Sequence, residues 1–145
     1  MAELKIERQL KAPIKKVFDF VTKVEFQVKW WGPGTMSLPD QSLDMTASGP
    51  WHCVMMNDEG QRYKVSGQVT KVEPPHMLGF TWAWHDDADK RGDESHVMIS
   101  LSDNGDGTTA FTLHHMQLAT EELAANHNQG WTSSVAKLEA LANSN

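Results

Sequence analysis

The sequence predicts an α+β fold in which a curved, antiparallel, seven-stranded sheet is covered by one long C-terminal helix. Three observations predict it. Apolar and polar residues alternate with the period of strands through most of the chain, turn residues separate these stretches, and the C-terminal stretch changes to a helical period. A sheet with one apolar face needs a cover, which the terminal helix can supply. A length of 145 residues is typical of a single domain, here 1–145.

The N-terminal part predicts one strand and two short helices. In the strand, apolar residues stand at alternate positions: Leu4, Ile6 and Leu10. Pro13 stands where helices often start, and apolar residues then recur at helical spacing: Ile14, Val17, Phe18 and Val21. We expect a helix over about 13–22 and a short helical turn over about 24–29 that ends at Trp30 and Trp31.

Six further strands follow an irregular loop marked by glycine and proline between residues 32 and 40. Their inward-facing positions are Leu43, Met45 and Ala47; Trp51, Cys53 and Met55; Tyr63, Val65, Gly67 and Val69; Leu78, Phe80, Trp82 and Trp84; Val97, Ile99 and Leu101; and Phe111, Leu113 and His115. Turns are expected at 57–60, 74–75 and 103–107, and a solvated polar loop at 85–94. The element order is therefore β-αα-β6-α.

The last helix is expected over about 120–142. Thr120 is a suitable N-cap, and Glu121 and Glu122 in the first turn are favourable against the helix dipole. Its apolar stripe comprises Leu123, His127, Trp131, Ser134, Val135, Leu138 and Ala142. A bent sheet around one helix leaves a cavity between the two, roofed by the short helices and the loops.

Composition and motifs exclude several classes of function. The net charge of −6, with no basic cluster, argues against a nucleic-acid partner. Cys53 is the only cysteine, so no intramolecular disulfide or cysteine cage can form, which fits a cytoplasmic location. The N-terminus alternates charged and apolar residues, so neither a signal peptide nor a membrane span is expected. The seven histidines lack metal-ligand spacing, and no metal or other cofactor is expected.

Tryptophan is unusually frequent, with six residues, and a buried indole N–H needs a hydrogen-bond partner. Several indoles around one space therefore favour a cavity that takes a ligand. Of the adjacent pair, we expect Trp31 to turn inward and Trp30 to pack outward under the loop or to line the mouth. The candidate ligand-binding residues are Trp31, Trp51, Cys53, Tyr63, Trp82, Trp84, His115, His127 and Trp131.

Strand parity and helical phase place His115 and His127 toward the interior. They could act as a general acid–base pair or as hydrogen-bond donors to a ligand, and they could equally be core histidines bonded within the protein. The candidate catalytic residues are His115, His127 and Tyr63. Cys53 is expected to be a small buried hydrophobe rather than a nucleophile.

The stretches "APIKKVFDFVT", "WWGPG", "SGPWHCVMMNDEGQRYKVSGQV", "VEPPHMLGFTWAW", "GTTAFTLHH" and "HNQGW" occur in this order over nearly the whole chain. Together they resemble the activator of heat-shock-protein-90 ATPase homologue-like family, within the SRPBCC superfamily of START-like and birch-pollen-allergen-like proteins. The resemblance implies the helix-grip fold around a hydrophobic cavity, and a homodimer as one form in which such domains occur.

Three functions follow as alternatives. The first is binding of a hydrophobic or aromatic small molecule in the cavity. The second is an enzyme of the polyketide cyclase/dehydratase or hydrolase type, with His115 as base and Tyr63 or His127 assisting. The third is a chaperone-regulating interaction module, which the mostly polar outer face of the predicted sheet disfavours.

Overall fold

The computed structural model describes residues 1–144, and its elements follow the predicted β-αα-β6-α order. The strands are β1 (Ala2–Leu10), β2 (Ser37–Ser42), β3 (Gly49–Met56), β4 (Arg62–Glu73), β5 (Met77–Trp84), β6 (Ser95–Asp103) and β7 (Thr109–Leu118). The helices are α1 (Ile14–Thr22), α2 (Val24–Gln27) and α3 (Glu121–Asn143). The predicted helix-grip architecture is confirmed.

The seven strands form one antiparallel sheet in the order β1-β7-β6-β5-β4-β3-β2. Strands β2 to β7 follow one another as a meander, which short turns allow because antiparallel neighbours can be joined directly. The first strand pairs with the last, and α1 and α2 carry the chain from one edge of the sheet to the other.

The core lies between the inner face of the sheet and the helices. Alternate strand residues enter it, as the period of two predicts, and α3 contributes Trp131, Val135 and Leu138. In α1 the helical spacing buries Ile14, Val17, Phe18, Phe20 and Val21. Burying each side chain of this size stabilises the fold by about 2 kcal/mol, so this layer holds α1 against the rest of the molecule.

One predicted strand is wrong. Residues 43–47 were expected in the sheet but lie outside it, and β2 lies earlier, mostly within the stretch up to residue 40 that was expected to be an irregular loop. Leu43 and Met45 are still completely buried, whereas Ala47 is exposed. The Met45 N–H donates to the Thr22 carbonyl (2.9 Å), so the segment leaves the sheet and packs on the end of α1. Pro39 is tolerated in β2 because this strand is an edge of the sheet.

The long C-terminal helix begins where it was expected. The Leu123 N–H donates to the Thr120 hydroxyl (3.1 Å), which is the N-cap bond. The prediction that Leu123 joins the buried stripe is wrong, since its side chain is 39% exposed and Ala124 is the first buried residue of α3. Across residues 1–144, no helix combines the length and the apolar character needed to cross a membrane.

The adjacent tryptophans point in different directions. Trp31 turns inward, as predicted, and contacts Trp51, Trp82 and Trp131. The expectation that Trp30 lies outward or at the mouth is wrong. Its side chain is 1% exposed, and its Nε1–H donates to the Phe20 carbonyl (2.9 Å), which fixes the ring against α1.

Candidate functional site

A cavity of about 290 Å³ lies between the sheet and α3. The chain that follows Trp31 covers one side of it, and we call residues 32–36 the roof loop. The wall is mainly apolar and combines residues of three regions: Trp31, Gly32, Pro33 and Met36; Met55, Tyr63, Trp82 and Trp84; and Asn126, His127, Gly130, Trp131 and Ser134. The expected position of the cavity, between sheet and helix under the loops, is confirmed.

Six of the nine candidate ligand-binding residues line this cavity: Trp31, Tyr63, Trp82, Trp84, His127 and Trp131. The other three, Trp51, Cys53 and His115, are outside the lining and buried, with exposures of 2% or less. They form a layer behind the wall. Strand parity predicted their inward direction correctly, but parity does not determine which inward side chain reaches the cavity surface.

Trp82 is the centre of an aromatic cluster. It stacks on Trp31 (ring centroids 5.8 Å apart, 27° between planes) and contacts Trp131 at 5.1 Å and Trp84 at 5.5 Å. Each such pair contributes roughly 1 kcal/mol beyond the burial of its area. We call these four rings the indole wall: Trp31, Trp82, Trp84 and Trp131. Their mutual contacts hold the four rings in place on the cavity surface.

His115 lies completely buried behind the indole wall. Trp131 Nε1–H donates to its Nδ1 (3.1 Å), so the neutral ring carries its proton on Nε2, which lies 2.7 Å from Ser95 Oγ. The Ser95 hydroxyl in turn donates to the Trp82 carbonyl (3.3 Å). Both ring nitrogens are therefore occupied within the protein, which is the arrangement of a structural histidine.

The pKa of His115 is strongly lowered, to about 3. Burial is the largest cause, because it disfavours the charged imidazolium, and the positive charges that His127, His96 and His114 can carry lower it further. At neutral pH the ring is uncharged. A general base would need a free nitrogen facing the substrate, and His115 offers none.

His127 lies on the cavity wall, with its ring centroid 5.0 Å from that of His115. Trp84 Nε1–H donates to its Nε2 (2.9 Å), and its Nδ1 donates to the Leu123 carbonyl one turn earlier in α3 (2.7 Å). The two predicted histidines are thus brought together, but both nitrogens of His127 are also engaged. Its bond to Trp84 fixes one ring of the indole wall.

Tyr63 and Cys53 differ in accessibility. Tyr63 is 41% exposed and stands at the mouth of the cavity. Cys53 is completely buried, and burial together with the nearby Asp40 raises the pKa of its thiol to about 12. A thiol with so high a pKa is a poor nucleophile, which agrees with the expectation of a small buried hydrophobe.

Two of the six indole N–H groups have no hydrogen-bond partner within residues 1–144: those of Trp31 and Trp82. Both rings belong to the indole wall. The other four indoles donate to Phe20, Thr81, His127 and His115. An unpaired buried N–H is energetically unfavourable, so these two groups lower the stability of the indole wall.

The roof loop is tied to α3 by side chains that sequence reasoning did not single out. Lys137 Nζ donates to the carbonyls of Gly32 and Gly34, and the Gly34 N–H donates to Ser133 Oγ (2.8 Å). Gly32 and Gly34 have φ angles of +88° and +61°, which glycine adopts without steric cost. Partial burial lowers the pKa of Lys137.

Sequence reasoning also missed part of the cavity wall: Met36, Asn126, Gly130 and Ser134. For the last three a pattern was available, since positions 126, 130 and 134 lie four residues apart, beside His127 and Trp131 on one face of a helix. The residues described, 1–144, contain no group of three or more histidine, cysteine or acidic side chains that could hold a metal ion.

The sequence pattern of the "Activator of Hsp90 ATPase homolog 1-like protein" family matches residues 11–143. The crystal structure of the AHSA1 protein from Silicibacter pomeroyi is 46% identical, with a TM-score of 0.94, covering 99% of this chain and 100% of that one. Comparison with curated proteins finds no match.

More distant structures share the fold. A protein from Chromobacterium violaceum superposes with a TM-score of 0.82 at 17% identity, covering 98% of each chain. A protein from Mycobacterium smegmatis gives a TM-score of 0.79 at 20% identity, covering 96% of this chain and 89% of that one. The same architecture is therefore built from very different sequences.

Proposed function

The chain belongs to the Activator of Hsp90 ATPase homolog 1-like family, and we propose that it binds a small aromatic molecule between the sheet and α3. The observation that carries the proposal is the indole wall around a cavity of about 290 Å³. Preformed, mainly apolar cavities with a few polar groups are the usual form of small-molecule sites.

Cavity volume limits the size of the ligand. A dry apolar cavity of roughly 150 Å³ accommodates benzene. The cavity here has about twice that volume, and flat rings such as the stacked Trp31 and Trp82 bound it. This space suits a molecule of two fused rings or a similar flat skeleton. A long-chain lipid would exceed this volume, so we place aromatic ligands before fatty acids.

Polar groups limit the chemistry of the ligand. A molecule that carries an oxygen, such as a phenol or an aromatic ketone, can hydrogen-bond to polar side chains of the wall. Ser134 and Asn126 add polar side chains from α3 to the same wall. The mouth beside Tyr63 leaves room for a polar substituent to reach solvent.

Titration of tryptophan fluorescence tests the proposal, because four of the six tryptophans line the cavity. The probes are 2-naphthol, naphthalene and decanoate. We expect saturable quenching by 2-naphthol, weaker binding of naphthalene, which lacks the oxygen, and weaker binding of decanoate. The absence of a saturable response to every probe would contradict the proposal.

A variant that fills the cavity gives the sharper test. Outside the adjoining turns of α3, a Cβ added at Gly130 meets no atom of residues 1–144 within 4 Å, so Gly130→Leu extends into open space on the cavity side of the helix. Replacing a helical glycine also favours the helix by up to about 1 kcal/mol, so the fold should be retained. We expect Gly130→Leu to abolish 2-naphthol binding.

The matched control for this variant is Gln129→Leu, which adds the same side chain at an exposed neighbouring position of α3. It should bind 2-naphthol as the unchanged protein does. Equal binding by Gly130→Leu and the unchanged protein would show that the molecule binds elsewhere.

The two alternative functions have less support. An enzyme that uses His115 as base would first have to break that residue's bonds to Trp131 and Ser95. The family name refers to activation of the Hsp90 ATPase, but the outer face of the sheet presents polar side chains, among them Lys64, Gln68 and Thr70.

A cytoplasmic location and a homodimer stay predictions. Light scattering after gel filtration tests whether the protein is a homodimer.

A further inference from the structure

The outer face of the sheet, opposite the cavity, carries a serine, a histidine and an aspartate in line. Ser66 Oγ lies 2.7 Å from His85 Nε2, and His85 Nδ1 lies 2.9 Å from Asp89 Oδ1. Ser66 belongs to β4, whereas His85 and Asp89 follow β5 in the segment expected to be a solvated loop. These distances are those of a serine nucleophile with its base and the group that orients the base.

The direction of the hydrogen bonds matches that chemistry. The Asp89 carboxylate only accepts, so the neutral imidazole of His85 holds its proton on Nδ1 and leaves Nε2 as an acceptor. The Ser66 hydroxyl then donates to Nε2. Lys64 Nζ also donates to Asp89 (3.1 Å), and together with His85 it holds the pKa of this carboxyl below its usual range.

Arg91 fixes the serine and supplies positive charge. Its Nε–H donates to Ser66 Oγ (3.1 Å), one terminal nitrogen donates to the Ser66 carbonyl (3.0 Å) and the other to Glu94 (2.7 Å). Since a guanidinium can only donate, the bond to Oγ leaves the hydroxyl proton directed at His85. Its positive charge beside Ser66 Oγ would stabilise an oxyanion that forms there.

Ser66, His85 and Arg91 open onto a surface pocket. It has a volume of about 380 Å³, and its lining includes Ser66, His85 and Arg91 together with Pro50, His52, Lys64 and Gln68. The lining also includes Trp51 and Gly67, but among residues 1–144 it shares no residue with the lining of the cavity under α3. A substrate here would not compete for space with a ligand bound at the indole wall.

We propose that Ser66, His85 and Asp89 form an esterase-type site for small esters of short carboxylic acids. Ser66 Oγ attacks the ester carbonyl carbon and passes its proton to His85 Nε2, while Arg91 faces the developing oxyanion. The tetrahedral intermediate then expels the alcohol, which takes the proton from His85, and leaves an acyl group on Ser66. Water, deprotonated by His85, then attacks the acyl carbon. The bond to Ser66 Oγ breaks, the carboxylic acid leaves, and Oγ takes the proton back from His85.

The test uses the whole chain with p-nitrophenyl acetate at pH 7.5. We expect release of p-nitrophenol and a protein adduct of one acetyl group, located at Ser66 by peptide mass spectrometry. Ser66→Ala should form no adduct, and His85→Gln should acylate about 100-fold more slowly. Asp89→Asn should lower kcat with little change in KM, because its amide can donate to Nδ1 and favour the wrong tautomer.

A matched control lies on the same face of the sheet. His96 Nε2 is 3.4 Å from Thr70 Oγ1, so His96→Gln removes a second histidine beside a hydroxyl without touching the proposed site. This variant should keep the rate of the unchanged protein. Circular dichroism verifies that each variant folds. If Ser66→Ala does not fold, Ser66→Cys serves as the second variant; because it keeps a nucleophile, it should still form the adduct.

Three results would overturn the proposal: no release of p-nitrophenol by the unchanged protein above the rate in buffer, an adduct on another residue such as Lys64, or equal rates for the unchanged protein and Ser66→Ala. In each case the hydrogen bonds among Ser66, His85 and Arg91 serve only to hold the loop after β5 against the sheet.

Discussion

Gly67 shows how one missing side chain allows a close approach inside the sheet. Trp51, its partner across the β3–β4 ladder, donates from Nε1 to the Thr81 carbonyl on β5 (3.1 Å). The Thr81 hydroxyl accepts the N–H of Gln68 (2.8 Å). Thr81 thus occupies the space that a side chain at position 67 would need, which explains the glycine.

We predict that Gly67→Ala is severely destabilising. The added Cβ would stand 2.0 Å from the Thr81 carbonyl oxygen, a backbone atom that cannot move without disturbing β5. The expected loss is about 3 kcal/mol in the free energy of unfolding, measured by urea denaturation. Gly130→Ala is the control and should be neutral or stabilising, since open space surrounds that position. Equal stability of the two variants would contradict the proposed clash.

His115 shows that the position of a histidine and its role are separate questions. Alternation along β7 predicted that its ring faces inward, and it does. Its role depends on Trp131 and Ser95, which come from α3 and β6 and occupy both nitrogens. No pattern local to β7 contains that information.

At the scale of elements, the roof loop depends on α3. Lys137 reaches across to the carbonyls of Gly32 and Gly34, and Ser133 accepts the Gly34 N–H. These bonds hold the loop over the cavity beside Trp31. The Trp-Trp-Gly-Pro-Gly stretch is therefore a corner of the fold that also forms part of the cavity wall.

We predict that Lys137→Met loosens the roof loop while α3 stays intact. Methionine keeps the length and apolar character of the stem but donates no hydrogen bond. Hydrogen–deuterium exchange at residues 32–36 should accelerate, and the free energy of unfolding should fall by about 1 kcal/mol. Lys23→Met, which removes only an exposed pair with Asp19, is the control and should leave this exchange unchanged. Unaltered exchange in Lys137→Met would show that other contacts hold the loop.

The segment that follows β2 shows that a strand-like alternation of apolar residues does not by itself predict strand pairing. Leu43 and Met45 are buried at alternate positions, as in a strand, but the Met45 N–H bonds to Thr22 and not to a neighbouring strand. The sheet edge is formed instead by a more polar stretch containing Pro39. Alternating burial reports which side chains face the core, and ladder pairing is a separate property of the backbone.

For the whole molecule, the buried neutral His115 predicts loss of stability in acid. In the unfolded chain its pKa is near 6.5, and in the folded protein it is about 3. Between these values the unfolded state binds the proton and the folded state does not, so stability falls as pH decreases from 6.5 toward 3. For a group this deeply buried, the effect amounts to several kcal/mol.

The His115→Gln variant separates the contribution of His115 to the pH dependence of stability from the contribution of the carboxylates. The variant should be less stable at pH 7, and its deficit should shrink as the pH of urea unfolding is lowered from 6.5 to 4. Gln129→Leu, a change at an exposed position of α3, is the control and should stay parallel to the unchanged protein. A constant deficit for His115→Gln over this range would mean that His115 titrates alike in the folded and unfolded states.

Local sequence patterns were sufficient to predict the element order, the inward faces of most strands, the extent of α1 and α3, and the inward turn of Trp31. These properties follow from periodicity and from turn and cap residues, which act over a few positions. Three-dimensional packing, in contrast, sets which inward residues reach the cavity. It engages His115 and His127 with Trp131 and Trp84, and it brings Ser66, His85 and Asp89 together. Such contacts join residues far apart in the chain, and strand pairing and helix packing set their distances.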